Sequence, residues 1–162
     1  MRLRIAFLSP FIFIGLLVGC GGHKESWFYS NLSDVNKADD GPRSWIPDDI
    51  LPASSRNIRI VGELSPSQEW CAFEFSPSDA EALRKSLKTV DVLSMPVTRV
   101  PAPGVPWWPE VLRGNLNVDK INNAHYRLYV VERPANSVNM GVYLFALDSS
   151  SGHGFFYWTY KS

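Results

Sequence analysis

Met140-Gly141-Val142-Tyr143-Leu144-Phe145-Ala146-Leu147-Asp148 and Phe155-Phe156-Tyr157-Trp158-Thr159-Tyr160-Lys161, joined by Ser149-Ser150-Ser151-Gly152-His153-Gly154, form the stretch that decides the fold. Two runs rich in aromatic and β-branched residues flank a short polar link, the pattern of an antiparallel hairpin. A third run, Ala124 to Arg133, precedes them across Pro134-Ala135-Asn136-Ser137, so the three read as a meander. Large side chains occupy both alternating faces. Tyr143, Phe145, Phe156, Trp158 and Tyr160 stand against Val142, Leu144, Phe155 and Tyr157, so both faces of this sheet need cover.

Working outward, Ile58 to Leu64 and Glu69 to Phe75 read as two further strands separated by Ser65-Pro66-Ser67. Ser76-Pro77-Ser78-Asp79 opens the clearest helical pattern, with Ser76 as cap, Pro77 at the first position and Asp79 returning the capping bond. Ala80, Leu83, Leu87 and Val90 make its apolar stripe. Five prolines between residues 96 and 109 forbid regular structure and predict a surface loop, followed by a turn of helix from Pro109 to Arg113. Leu32, Val35 and Ala38, with Asn31 or Ser30 as cap and Gly41 as stop, predict one short helix more. The expected fold class is α+β: an antiparallel sheet of about five strands, one main helix over 76–90 and a proline-rich surface loop over 96–109. The helix is expected on one face and the loop on the other.

The chain has 162 residues, 45% of them apolar, with 16 basic against 16 acidic side chains. That suits a single folded domain, and zero net charge excludes a general nucleic-acid binder, which needs a basic excess to displace counterions. The balance is uneven along the chain. Residues 1–19 hold two arginines and no acid, so the remainder carries a net charge of −2. Arg2 and Arg4 precede an apolar run from Ile5 to Leu17, the proportions of an export signal and too short to span a bilayer comfortably.

That run ends in Leu17-Val18-Gly19-Cys20-Gly21-Gly22, which resembles the lipobox of bacterial lipoproteins. The resemblance implies cleavage after Gly19, a diacylglycerol on the Cys20 sulfur and an acyl chain such as palmitate on the new amine. Residues 1–19 are then the signal peptide, 20–26 a lipidated tether and 27–162 the single domain. Gly21, standing where inner-membrane lipoproteins of Gram-negative bacteria carry Asp, implies the periplasmic face of the outer membrane as destination. A second resemblance rests on Trp27-Phe28-Tyr29, Trp45-Ile46-Pro47, Leu51-Pro52 and Ser54-Ser55-Arg56-Asn57-Ile58. Together they look like a group of small bacterial lipoproteins with a YbbD head-like domain, which brings no established activity.

If Cys20 carries lipid, Cys71 has no disulfide partner, and its place in alternation with Phe73 and Phe75 predicts a buried thiol. His23, His125 and His153 lack metal-ligand spacing, residues 34–41 fail the pattern of a calcium loop, and no cofactor motif is present. Asp48 and Asp49 are adjacent in an extended segment and point apart. Glu63, Glu74 and Glu132 fall on different strands and could meet. The aromatic pair Trp107-Trp108 is the one feature with binding chemistry, either packing on the sheet or stacking on a sugar ring or protein partner. The expected function is a membrane-anchored, non-catalytic binding or interaction module. A periplasmic hydrolase or glycan-binding protein, and an immunity or inhibitor lipoprotein, stay open as alternatives.

Overall fold

The computed structural model describes residues 23–38, 46, 50–89, 95–134 and 140–161. The signal segment, Cys20, Gly41, Trp45, Asp48, Asp49 and Val90 lie outside them.

Seven antiparallel strands build the main sheet: β1 (Lys24–Asn31), β2 (Arg56–Leu64), β3 (Ser67–Glu74), β4 (Lys88–Thr89), β7 (Arg127–Pro134), β8 (Met140–Asp148) and β9 (His153–Tyr160). Their spatial order is β1-β2-β3-β9-β8-β7-β4. A separate two-stranded ribbon pairs β5 (Arg99–Val100) with β6 (Gly114–Asn115). The helices are α1 (Leu32–Lys37), α2 (Ala80–Ser86) and α3 (Val118–Asn123). The α+β class and the β7-β8-β9 meander follow the sequence pattern, but the sheet has seven strands rather than five.

The excess comes from two places. Lys24, Glu25 and Ser26, which read as polar tether, pair with Glu63, Gly62 and Val61 as the start of edge strand β1. Lys88 and Thr89, which read as helix, pair with Val130 and Tyr129 as β4. The expected main helix over 76–90 is correspondingly cut down to a 3-10 turn at Pro77–Asp79 and the seven residues of α2. The predicted capping box does not form. The Ser54 hydroxyl instead donates to the Asp79 carboxylate and accepts from the Ser76 amide, tying the turn to the preceding loop. The short helix α1 does carry its expected cap, with Asn31 Oδ1 accepting from the Asp34 amide at 3.1 Å.

Both faces of the sheet are buried. On one, Ile58, Ile60, Cys71, Phe73, Phe145, Phe156 and Trp158 pack under Val35 of α1, Ile46, Ile50, Leu51 and Ala80 and Leu83 of α2. On the other, Val61, Trp70, Leu128, Val142, Leu144 and Tyr157 pack under Val97, Val100 and Trp108 of the proline-rich segment, Leu112, and Ile121 of α3. The helix on one side and the proline-rich loop on the other are as the alternation required. Trp70 clamps the loop by donating from Nε1 to the Pro101 carbonyl at 2.9 Å. Gly154 is needed where β9 pairs with β3, because a Cβ there would sit 2.3 Å from the ring of Phe73 directly opposite.

Candidate functional site

Trp107 and Trp108 are neighbours of one residue type, and the loop gives them different environments. Trp108 is buried, donates from Nε1 to the Leu112 carbonyl at 3.1 Å, and meets Phe155 edge to face at 5.8 Å. It belongs to the core. Trp107 is half-buried, with its ring 6.2 Å from that of Trp108. Arg113 holds the turn between them and the 3-10 helix Glu110–Leu112. Its guanidinium donates to the Trp108 carbonyl at 2.7 Å and pairs with Glu110 at 2.8 Å. Gly114, at φ +66°, then turns the chain into β6.

Trp107 lines a cleft of about 140 Å³ with Asn57, Arg59, Ala72, Glu74, His153 and Phe155. Local backbone geometry makes this cleft. The pairing of β2 with β3 shifts register between Arg56 and Arg59, and Asn57 takes φ 51° in that bulge, a conformation Asn tolerates well. Glu74 is lowered from its usual pKa first by the Asn57 side-chain hydrogen bond, with Arg56 adding to it and burial opposing. Arg56 Nε donates to Glu74 at 3.1 Å. His153 contacts the Ser151 hydroxyl at 2.9 Å. Arg59 is exposed and has no hydrogen-bond or ion-pair partner among the described residues. The cleft thus offers an indole face, a fixed carboxylate and a guanidinium free to take a ligand's acceptor, a combination suited to stacking plus directed hydrogen bonds.

The other expected candidates do not join it. Glu63 pairs with Lys24 at 3.7 Å and Glu132 with Lys161 at 2.8 Å, so of the three strand carboxylates only Glu74 reaches the cleft. His23 contacts Glu25, and His125 sits at φ 68° before β7. Among the described residues no three His, Cys, Asp or Glu side chains are gathered as a metal site. A larger cavity of about 400 Å³ at the β4–β7 edge is lined by Ser86, Lys88, Thr89, Val130, Val131 and Glu132, without an aromatic ring among its described residues.

Cys71 is buried as its alternation predicts, and burial foremost pushes its thiol pKa up. Sequence reasoning missed Glu69, two residues earlier on the same face. It is 0% exposed, and neither carboxylate oxygen has a hydrogen-bond partner among the described residues. Burial raises its pKa well above the usual carboxylate value. The signal was present: counting back by two from Phe73 and Cys71 places Glu69 in the core row.

Asp148 shapes the turn that leads to His153. Burial acts to raise its pKa, but hydrogen bonds from the hydroxyls and amides of Ser150 and Ser151 outweigh it and bring the value down to about 2. Gly152 completes this turn at φ +71°, and its carbonyl accepts from the Phe75 amide at 2.8 Å. No protein-family model matches the chain, and neither a curated protein nor a solved structure matches it.

Proposed function

We propose that this chain is a membrane-anchored lipoprotein of the bacterial cell envelope, held by lipid on Cys20, whose domain is a non-catalytic binding module with its ligand surface at the Trp107 cleft. The observation that carries the reading is one cleft lined by a half-buried Trp107 and by Arg59, which has no partner among the described residues, beside a carboxylate already held by Asn57 and Arg56. Such a surface can stack and hydrogen-bond without having to titrate.

The anchor has its own test. Blocking lipoprotein signal peptidase with globomycin should leave a larger, unprocessed form, and Cys20→Ala should lose partition into membranes. An unchanged size together with unchanged partition contradicts the anchor.

A glycan ligand is the second reading, favoured by an indole flanked by Asn57, Arg59 and Glu74, groups that can bind ring hydroxyls. Retention of the protein on isolated peptidoglycan sacculi, lost in Trp107→Ala, supports it. A discrete protein captured through the same cleft supports an interaction module, of which an immunity or inhibitor lipoprotein is one form. The hydrolase alternative needs two carboxylates flanking one bond, and among the described lining residues the cleft has one.

A further inference from the structure

The strand registers define a terminal row at the end of the sheet where β1 begins. Lys24 pairs with Glu63, and one residue further out Leu64 pairs with Ser67. Gln68 pairs with Thr159, so Tyr160 follows in the outer row, where it pairs with Gly141, itself opposite Arg133. Leu64 and Tyr160 therefore share one row and one face, two strands apart. They are 55% and 38% exposed, two of the three large apolar residues that the described surface leaves open. The third, Phe28, lies in the middle of edge strand β1.

The same end receives the chain from Cys20. Only Gly21, Gly22 and His23 intervene before Lys24, so at most about 14 Å of extended chain separates the two. Two ion pairs lie at this end, Lys24 with Glu63 and Lys161 with Glu132, and His23 contacts Glu25. Beside these pairs the row presents one aliphatic and one aromatic side chain to the outside. Tyrosine suits the water–hydrocarbon boundary because its ring is apolar and its hydroxyl stays hydrated.

We infer that this end of the sheet docks on the bilayer, with Leu64 and Tyr160 entering the lipid interface and fixing the domain with the Trp107 cleft facing away. The inference rests on the lipid anchor proposed for Cys20, which a tether of this length would keep against the surface. The opposite end of the sheet carries Asn57, Glu74 and His153 of the cleft.

The test uses full-length, lipidated protein in vesicles of phosphatidylcholine and phosphatidylethanolamine, with a nitroxide attached at Leu64→Cys, at Tyr160→Cys, or at Ala53→Cys near the far end. Cys71 is buried and Cys20 is blocked by its lipid, so each label reports one position. At Leu64 and Tyr160, collisions with oxygen should exceed those with a water-soluble nickel chelate, the reverse of the order at Ala53. Nickel collisions dominating at all three positions would overturn the docking, as would a label at Leu64 that is immobilised yet still aqueous, the sign of a protein partner. Mass measurement of the N-terminal peptide separates the two failures. Diacylglycerol present with an aqueous Leu64 overturns the docking alone; diacylglycerol absent overturns the anchor and the docking with it.

Discussion

The two ends of the sheet stand about 23 Å apart, seven steps of about 3.3 Å along β3. They are built from different chemistry. At the end where β1 begins, Lys24 pairs with Glu63 and Lys161 with Glu132, while Leu64 and Tyr160 stay exposed. At the other end a register shift at Asn57 lies beside the Trp107 cleft, in which Arg59 has no partner among the described residues. One end sets exposed apolar side chains beside ion pairs; the other sets a guanidinium beside an indole. The difference teaches where to look for an anchor and where for a ligand.

The comparison breaks most severely if the two tryptophans prove interchangeable. Trp108→Ala should cost about 3–5 kcal/mol in urea unfolding, because it empties a core position and orphans the Leu112 carbonyl. A loss below that of an ordinary surface substitution would mean that the loop does not pack on the sheet.

Glu69 sets the next largest effect. Replacing an unpartnered buried carboxyl with Leu should stabilise the fold by about 1–3 kcal/mol at neutral pH. The sign follows from linkage. Burial holds the Glu69 proton on in the folded state well above the ordinary carboxylate range, while the unfolded chain releases it within that range. Its contribution to stability is therefore full below the ordinary carboxylate range and falls as pH rises through the folded pKa, by up to about 1.4 kcal/mol per unit. Glu69→Leu should remove this slope, and an unchanged slope would point to another group.

Asp148 titrates with the opposite sign. Its depressed pKa of about 2 contributes stability above the unfolded value, lost as pH falls through it. Asp148→Asn should cost about 1 kcal/mol at neutral pH and flatten the acid limb of the stability curve.

The smallest expected stability effect sharpens the comparison most. Arg59→Ala should shift unfolding by about 0.5 kcal/mol or less, since the side chain is exposed and has no partner among the described residues, while abolishing cleft binding. A large stability loss would make Arg59 structural and leave the cleft without its ligand group.

Much of the fold was legible wherever burial imposed a period. The meander β7-β8-β9, the two-faced core and the stripe Ala80, Leu83, Leu87 all follow from alternation or helical spacing. What escaped lies at edges and in short elements. Lys24 to Ser26 face solvent, so nothing in their polarity marks a strand; only pairing to β2 makes them one. Leu87 continues the helical stripe yet is already extended, because β4 joins β7 there. α3 hides behind one buried residue, Ile121, and a cap from Asn117 to the Lys120 amide. At the cleft, adjacent residues of identical type cannot be told apart by composition, and tertiary packing alone buries Trp108 and leaves Trp107 accessible.

The most direct test of this polarity places a photoreactive phenylalanine at Trp107 in one version of the full chain and at Leu64 in another, followed by irradiation of living cells. The account predicts that position 107 crosslinks to one discrete envelope macromolecule, protein or peptidoglycan, while position 64 crosslinks to lipid. Lipid adducts at 107, or the same macromolecule captured equally from both positions, would contradict it.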